Sequence, residues 1–447
     1  MGFDILPFEI KHKILINAVE LRSIRRAVRL RLVSRSWKDA VQLAMFDSDI
    51  LNEAGFSSLE PSILLSEFVV YKALRTNSTM PVSAPVLVIR QAAEFVLNYH
   101  RGSVSEDAIT KSIHDLFLQN SCFRDKRLGF PICQSYGKFG DPKAWDVTQA
   151  VLAIAAYNND ISLAKELLPQ MRESKYLLYM HGSLKGHQEA AVLGCPVEVA
   201  AMRGNIEMTR IFLEYLEDVM TQKDRKNIHG SILWHAAQGN QISTVEIGLE
   251  KQWLKRHHFF KALESTTSLD ILKRLLDVRK HCISPRRGND GEMNSLAVRL
   301  RDQVLDAAAR GDIPLMEYLA RHSARYKPED INKGKYDLPI SRAAKAGRYD
   351  VVKYLIELDV GIVEKSIVAA AKHGSRRLVQ LLLEKGTWNN ASLSMALARA
   401  LERENDSVVG LLIEYGVSLH WRLKYVSLSQ AEIRGQETMA TLIRERI

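Results

Sequence analysis

The histidines that could bind a metal ion fall into two pairs along this chain. His257 and His258 are adjacent, and neighbouring residues on a helix point to different sides, which is wrong for a shared metal. His181 and His187 have no Cys or acidic residue at the spacing of a zinc site. Neither pair therefore predicts a metal centre.

Carboxylates and thiols give no stronger indication of chemistry. Asp47 and Asp49 begin like a calcium-binding loop, but Leu51 occupies the third ligand position and no Gly follows at the sixth. Cys133 or Cys195 would be a nucleophile only beside a base, and buried thiols are the better expectation. The sequence also lacks GxGxxG, GxxxxGK[ST] and HExxH patterns. We expect a protein that is not an enzyme and that needs no cofactor.

Composition restricts the remaining classes of function. The 447 residues include 62 Lys and Arg against 52 Asp and Glu, and the excess is spread along the chain rather than gathered in a basic patch. A specific nucleic-acid interface is therefore not predicted. Four scattered cysteines favour a reducing, cytoplasmic or nuclear compartment. No apolar run approaches the roughly 18 residues of a membrane helix.

One pattern occurs twice between Ile340 and Gly386. An Ala pair is followed three residues later by Gly, in AAKAG ending at Gly347 and in AAKHG ending at Gly374. Apolar pairs follow four and five residues beyond each Gly. Small residues allow close helix packing, Gly supplies the positive φ that ends a helix, and the apolar spacing predicts a second helix. Such a helix pair cannot bury its apolar face alone, so the pattern predicts stacked repeats.

The pattern resembles the ankyrin repeat, whose consensus has the same Ala pair, Gly and apolar doublets. Related segments begin at residue 144 and bring Asn159, Gly204, Gly239 and Gly311 to the position of the Gly. Asn is the next best residue at positive φ. The resemblance implies an all-α fold, with a solenoid of about eight or nine degenerate helix-turn-helix repeats over residues 144–447. His235 resembles the structural His of the family, which bonds backbone.

Residues 1–50 predict a separate group of short helices. The segments LPFEI from Leu6, IL at Ile14 and Leu15, and LRLVSRSW from Leu30 to Trp37 resemble an F-box, the segment that docks on the adaptor subunit of cullin-type ubiquitin ligases. The combination is similar to an F-box/ankyrin family of filamentous fungi. The resemblance implies adaptor binding by Leu6, Pro7, Ile10, Ile14, Leu15, Leu30, Val33 and Trp37. The alternative is that these helices form a structural cap on the array.

Residues 51–143 predict a helical bridge whose last helices cap the array. Helices are predicted at 60–74, 84–100 and 105–120, and a Gly- and Pro-rich loop at 121–143. Two insertions, 169–192 and 284–294, interrupt the repeat period and are expected to be loops.

A binding surface remains as the predicted functional feature. The two residues before each turn Gly end the first helix of a repeat, and several are basic. We expect a groove for a protein partner, with Trp388 as an exposed anchor. The predicted groove residues are Tyr157, Arg203, Arg310, Lys345, Lys372, His373 and Trp388. The function expected is that of a monomeric substrate receptor of a ubiquitin ligase. The alternative is an ankyrin scaffold with no such role.

Overall fold

The structure is a computed structural model, and the residues it describes cover most of the predicted repeats. The described residues are 6–21, 27, 30, 35–48, 71, 84–100, 107, 111, 144–171, 195–217, 222–250, 254, 256–282, 290–322, 338–358, 364–433 and 437–446. The predicted 121–143 loop and nearly all of the 169–192 insertion lie outside them.

The described part of the chain is helical and contains no strand, which confirms the all-α prediction. Its 21 helices are α1 Phe8–Glu20, α2 Arg35–Asp47, α3 Ala84–Tyr99, α4 Ala144–Asn158, α5 Ile161–Leu167, α6 Pro196–Arg203, α7 Ile206–Glu217, α8 Gln222–Gln238, α9 Ile242–Leu249, α10 Arg256–Ser265, α11 Leu269–Cys282, α12 Asp290–Arg310, α13 Ile313–His322, α14 Pro339–Lys345, α15 Tyr349–Glu357, α16 Glu364–His373, α17 Arg376–Lys385, α18 Asn390–Glu402, α19 Asp406–Glu414, α20 Trp421–Ile433 and α21 Glu437–Arg446.

The chain divides into two compact units, residues 1–255 and 256–447. The division falls within residues 144–447, the range predicted as one array. Unit 1 holds α1 to α9, and unit 2 holds α10 to α21.

In unit 1, α1 and α2 pack against each other around a small apolar core. Residues four apart on α1, Leu15 and Val19, are buried there with Val41 and Met45 of α2. Residues four apart lie on one face of a helix, so Leu15 and Val19 share a face of α1, and Val41 and Met45 share a face of α2. These two apolar faces pack against each other.

From α4 onward, the described helices form nine consecutive hairpins, each a first helix, a short turn and a second helix. Hairpins 1 to 3 are α4/α5, α6/α7 and α8/α9, and hairpins 4 to 9 are α10/α11, α12/α13, α14/α15, α16/α17, α18/α19 and α20/α21.

First helices pack on first helices within each unit. In unit 1, α3 packs on α4, and α4, α6 and α8 pack in that order. In unit 2 the order is α10, α12, α14, α16, α18 and α20. Second helices of neighbouring hairpins also contact each other: α11 contacts α13, α15 contacts α17, and α17 contacts α19. The helix α3 of the predicted bridge packs on α4. Of the bridge helices predicted on either side of it only residues 71, 107 and 111 are described, so capping of the array by the last helices of the bridge stays a prediction.

Most hairpins have the same turn between their two helices, and one backbone hydrogen bond defines it. The N–H of the residue that follows the left-handed position donates to the carbonyl of an Ala five residues earlier. Six turns have this bond, at Ala155, Ala200, Ala236, Ala307, Ala343 and Ala400, with N···O distances of 2.8 to 3.0 Å. This is the bond of a Schellman-type helix end, and it satisfies a carbonyl that the helix leaves without a partner.

The left-handed residue of the turn is the predicted one at most sites. Asn159 has φ 58°, Gly347 has φ 70° and Gly374 has φ 93°. At hairpin 3 the prediction is wrong, because Asn240 takes the left-handed conformation with φ 56° and Gly239 does not. Gly239 lies against the carbonyl oxygen of Met202, where a Cβ would clash, so that glycine allows two hairpins to approach.

The predicted loop at 284–294 is only partly a loop. Residues 290–294 belong to α12, which begins at Asp290 and runs for 21 residues. After Gly291 the sequence contains no Gly or Pro until Gly311, and Leu300 and Val304 are buried four residues apart. The helical spacing therefore extends into the segment that its composition marked as a loop.

Three glycines of unit 2 separate the cost of positive φ from the cost of steric overlap. Gly410 lies inside α19 and Gly416 has φ 80°, and an added Cβ would have no atom within 4 Å at either. We expect Gly410→Ala to stabilise hairpin 8 by about 0.5–1 kcal/mol and Gly416→Ala to destabilise it by about 1–2 kcal/mol. Gly347→Ala should cost at least as much as Gly416→Ala, since its Cβ must also displace the His373 ring.

Opening free energies from native-state hydrogen exchange would measure these effects hairpin by hairpin. Adding His373→Ala should bring Gly347→Ala to the cost of Gly416→Ala. A loss of protection spread evenly over all of unit 2 would contradict the local behaviour expected of stacked hairpins.

Candidate protein-interaction site

The turns of hairpins 5 to 8 form one edge of unit 2, which we call the turn edge. It consists of residues 309–312, 345–348, 372–375 and 402–405. Side chains of each turn reach the turn before it, so the four turns lie side by side. Four of the predicted groove residues, Arg310, Lys345, Lys372 and His373, are on this edge.

Direct contacts join neighbouring turns. Arg348 Nε–H donates to the carbonyl oxygen of Ala309 at 2.9 Å. The His373 ring lies against the Cα of Gly347, in the space that a side chain would need. Asn405 Nδ2–H donates to the carbonyl oxygen of Ala371 at 3.0 Å, and its amide also covers Gly374. These contacts fix the order and spacing of the turns.

Three predicted cations on the turn edge are exposed. Arg310, Lys345 and Lys372 each end a first helix, and within the described residues none of them forms an ion pair. By contrast, Arg399 of the next first helix pairs with Glu402 at 2.7 Å. Cations at a helix C-terminus are favoured by the helix dipole, and these three also keep their charge directed to solvent.

Two further arginines follow the third turn of the edge, and one of them, Arg376, is ion-paired with Glu414. The guanidinium of Arg377 lies 4.3 Å from the centre of the Tyr349 ring, a cation–π geometry. The guanidinium of Arg376 donates to Ser407 O at 2.9 Å and to Glu414 Oε2 at 3.1 Å. Both side chains are held in place by the neighbouring hairpin, which a sequence pattern of local spacing does not reveal.

Side-chain contacts also join the second helices of neighbouring hairpins in unit 2. Tyr354 donates its hydroxyl hydrogen to Glu317 Oε1 at 3.0 Å, which links α15 to α13. Burial, and after it this hydrogen bond to Glu317, raises the pKa of the Tyr354 hydroxyl above its usual value. On the side formed by the second helices, polar side chains are therefore used to hold neighbouring hairpins together.

Unit 1 has an equivalent turn contact with different side chains. Asn205 Nδ2–H donates to the carbonyl oxygen of Ala156 at 2.6 Å. Arg203 is exposed, and its guanidinium lies 4.3 Å from the centre of the Tyr157 ring. Tyr157 itself is only 6% exposed, so its predicted role as a groove residue is corrected. The packing of α6 on α4 buries the Tyr157 ring, and the Arg203 guanidinium lies over this ring.

Trp388 is also placed differently from the prediction. It lies in the loop between α17 and α18, away from the turns that carry the cations, and it is half-buried. Its indole N–H donates to Leu382 O at 2.9 Å, and its ring lies 2.6 Å from the position of a Cβ on Gly386. The Trp ring covers the end of its own helix and is not a free anchor.

The residues predicted to contact an adaptor divide between the two faces of α1 and the core. Leu15 is 2% exposed, and Leu30 and Trp37 are half-buried against the same core. Ile10 and Ile14, four residues apart on another face, are 47% and 43% exposed.

Two predicted residues at the beginning of α1 are also accessible to some degree. Pro7 is exposed at the beginning of the helix, and Leu6 is half-buried. Val33 lies outside the described residues. An apolar strip of Pro7, Ile10 and Ile14 is therefore open on α1.

The other face of this region is tied to the segment that follows it. Asp47 Oδ2 lies 2.8 Å from His12 Nε2, and Tyr71 donates its hydroxyl hydrogen to Asp47 Oδ1. The Tyr71 ring is 5.3 Å from that of Phe46. The Asp47 carboxylate, considered above for calcium, thus joins three segments of the chain.

The residues considered for metal binding and catalysis have structural surroundings. In the described ranges, no three His, Cys, Asp or Glu side chains are grouped as a metal site would require. The rings of His257 and His258 are 4.0 Å apart, so the expectation that they point to different sides is wrong. Cys195 is buried, as predicted, and Cys133 lies outside the described residues.

Buried polar groups link α6 and α8 in unit 1. Ser231 donates its hydroxyl hydrogen to Glu198 Oε1 at 2.6 Å, and His235 Nδ1 lies 2.9 Å from Ser231 O. All three side chains are buried, and His235 Nε2 is 3.7 Å from Glu198 Oε2. The His235–backbone contact matches the structural role predicted for this residue.

No protein-family model matches the sequence, and no curated protein matches it either. None of the described helices is both long and apolar enough to cross a membrane.

Sequence reasoning missed the residues that cross-link the turns. Asn205, Arg348 and Asn405 each follow the left-handed residue of their turn, so a shared position was available as a signal. Their hydrogen-bond partners, however, lie 34 to 49 residues earlier in the sequence, from Ala371 for Asn405 to Ala156 for Asn205. Local spacing does not identify such partners.

Asn405 offers a test of the cross-link. Asn405→Ala should lower the opening free energy of hairpins 7 and 8 by about 1 kcal/mol, because the Ala371 carbonyl loses its donor. Asn405→Asp is the informative control, since Asp is as good as Asn at the beginning of α19 and favours its dipole. Asp has no N–H to donate, so we still expect a loss, measured by hydrogen exchange. An Asn405→Asp variant as stable as wild type would show that the bond contributes no more than the new carboxylate gains from the dipole of α19.

Proposed function

We propose that this protein is a non-enzymatic receptor that brings a protein partner to a ubiquitin ligase. Residues 1–50 act as an F-box-like segment that docks on the adaptor of a cullin-type ligase. The hairpins act as an ankyrin-type array that holds the partner, in a cytoplasmic or nuclear setting. Both assignments rest on the sequence resemblances together with the geometry described above.

The open apolar strip on α1 is the observation that carries the proposal. A helix pair with so small a core normally turns its apolar residues inward, since each one left in water forfeits burial free energy. Ile10 and Ile14 are nevertheless exposed while Leu15 and Val19 fill the core. An exposed apolar strip beside a complete core is typical of a docking surface.

The repeated turn supports the second assignment. Six hairpins share the same bond to an Ala carbonyl five residues earlier, and first helices pack on first helices within each unit. This nearest-neighbour arrangement is what an ankyrin-type array requires. It presents a row of turns on which a partner would lie.

A second candidate function is a scaffold with no ubiquitin-ligase role. The contacts of Tyr71 with Asp47 and Phe46 favour it, because they tie residues 1–50 to the following segment as a structural cap would be tied. Under this reading the exposed strip has no adaptor to bind.

The double variant Ile10→Gln/Ile14→Gln distinguishes the two functions. Both positions are exposed, so we expect the change in folding stability to stay within about 0.5 kcal/mol. Capture of the adaptor by the full-length tagged chain should fall at least about tenfold, as expected when the apolar centre of an interface is lost. The measurement is affinity purification with mass spectrometry, followed by titration with purified adaptor.

Ile433→Gln is the matched control, because Ile433 is an exposed isoleucine of unit 2 and should leave adaptor capture unchanged. If wild-type protein does not bind purified adaptor, the receptor proposal fails and the scaffold function remains. Loss of adaptor with both the double variant and the control would mean that the strip on α1 is not the docking site.

A further inference from the structure

Four consecutive first helices of unit 2 have a basic residue at their end. These residues, which we call the cation row, are Arg310, Lys345, Lys372 and Arg403. The first three are exposed and Arg403 is half-buried, and within the described residues none of the four forms an ion pair. Because first helices pack on first helices, the row has one cation per hairpin across hairpins 5 to 8.

Carboxylates lie on the other side of the same turns, where the second helices begin. Asp312 accepts a hydrogen bond from the N–H of Leu315, and Asp350 and Asp406 lie in the first turns of α15 and α19. Hairpin 7 differs, because α17 begins with two arginines. The helix dipole favours both the cations and these carboxylates at their positions. A partner therefore meets a row of cations with carboxylates on one side of it.

We propose that the cation row binds an acidic segment of a protein partner in polyproline II conformation, with a carboxylate at every third residue. This rests on the proposed function as an interaction receptor and specifies the partner's chemistry. One carboxylate faces each cation, and the residues between the carboxylates are uncharged. Opposite charges then meet at every hairpin, which gives specificity and faster association.

The spacing of the row sets the conformation of the segment. Packed helices lie about 8–10 Å apart. A polyproline II chain has three residues per turn, so every third side chain points to the same side, about 9 Å farther along. In a β-strand, residues three apart point to opposite faces. Carboxylates three residues apart therefore reach successive hairpins from a polyproline II segment and not from a β-strand.

Two arginines next to the row add hydrogen-bond donors for these carboxylates. Arg348 donates its Nε–H to Ala309 O at 2.9 Å, and its terminal NH2 groups have no partner in the described part of the chain. The Arg377 guanidinium lies over the Tyr349 ring, 4.3 Å from its centre. A guanidinium held in position can bind a carboxylate through two parallel hydrogen bonds with little further loss of side-chain freedom. We therefore expect hairpins 6 and 7 to contribute most of the binding.

The carboxylates beside the row favour a polypeptide over a nucleic acid. A nucleic acid carries a negative charge at every nucleotide, including those that would lie near Asp312 and Asp350. Like charges placed together are repulsive and reject that class of partner. A polypeptide with one acid in three residues directs its charge to one side and presents uncharged residues to the carboxylates.

Fluorescence anisotropy with the full-length chain and two labelled ten-residue peptides tests the proposal. Both peptides contain four Glu and six Pro, and proline favours the polyproline II conformation. The spaced peptide has Glu at positions one, four, seven and ten, and the clustered peptide has Glu at positions four to seven. We expect the spaced peptide to bind at least about threefold more tightly at low salt, because it alone can form all four weak charge pairs. This advantage should shrink as salt is added.

Two double variants locate the binding. Lys345→Gln/Lys372→Gln removes the two middle cations, so it should weaken the spaced peptide at least about fivefold and bring the two peptides close to equal affinity. Lys365→Gln/Lys385→Gln is the matched control, because both lysines are exposed and lie at the beginning of α16 and the end of α17, away from the turn edge. The control loses the same charge and should keep the advantage of the spaced peptide.

Equal affinity of the two peptides for the wild-type chain, or no saturable binding of either, would overturn the proposal whatever the variants show. An equal loss with the control variant would assign binding to net charge alone and overturn it as well. Displacement of the spaced peptide by an equimolar single-stranded oligonucleotide with four phosphates would assign the row to nucleic acid instead. None of these outcomes touches adaptor capture by α1, which is measured separately, so the receptor proposal could survive a failure here.

Discussion

The contact between one turn and the next is the interaction on which both units depend. In six hairpins the first helix is followed by a left-handed residue, and the residue after it bonds back to an Ala carbonyl five residues earlier. In hairpins 2, 6 and 8 the side chain at that same position also bonds to a carbonyl of the preceding turn. The same short turn therefore ends the first helix and fixes the distance between two neighbouring hairpins. At that distance the apolar faces of the two hairpins can bury each other.

This constraint explains which sequence changes the array has accepted. Asn159, Asn240 and Glu404 adopt the left-handed conformation without being glycine, at a cost of about 1 kcal/mol or more for Glu404. The cost is tolerable because the bond to the Ala carbonyl and the stacking contacts remain. Gly239 shows the opposite case, since its φ is ordinary and the lack of a Cβ is what matters. A turn residue can therefore need to be glycine for two separate reasons, a positive φ or a lack of space for a Cβ, and the repeat pattern does not distinguish them.

The sequence was a good guide where the cause of a structure is local. Helix type, the turn at Gly347 and the positive φ of Asn159 all follow from spacing within a few residues. Tyr157, Trp388 and Asn405 depend on which residues the next hairpin or the next turn of chain brings near them. Their surroundings are set by stacking and loop closure, and neither is readable from residue spacing. The boundary between the units, at residue 255, is a similar case.

For the cations of the turn edge, stabilising a helix and binding a partner would make different geometric demands. A Lys in the last turn of a helix gains about 0.3–1 kcal/mol from the dipole wherever its ammonium lies near the helix end. Recognition needs more, because the charge must also remain free of ion pairs and reach solvent. Lys345 and Lys372 meet both conditions, whereas Arg399 meets the first and is neutralised by Glu402. Hairpin 8 also carries a cation at the end of its first helix, since Arg403 directly precedes the left-handed residue as Arg310 does in hairpin 5. Its Asp406 lies in the first turn of α19, where the helix dipole favours a carboxylate, so folding explains this acid.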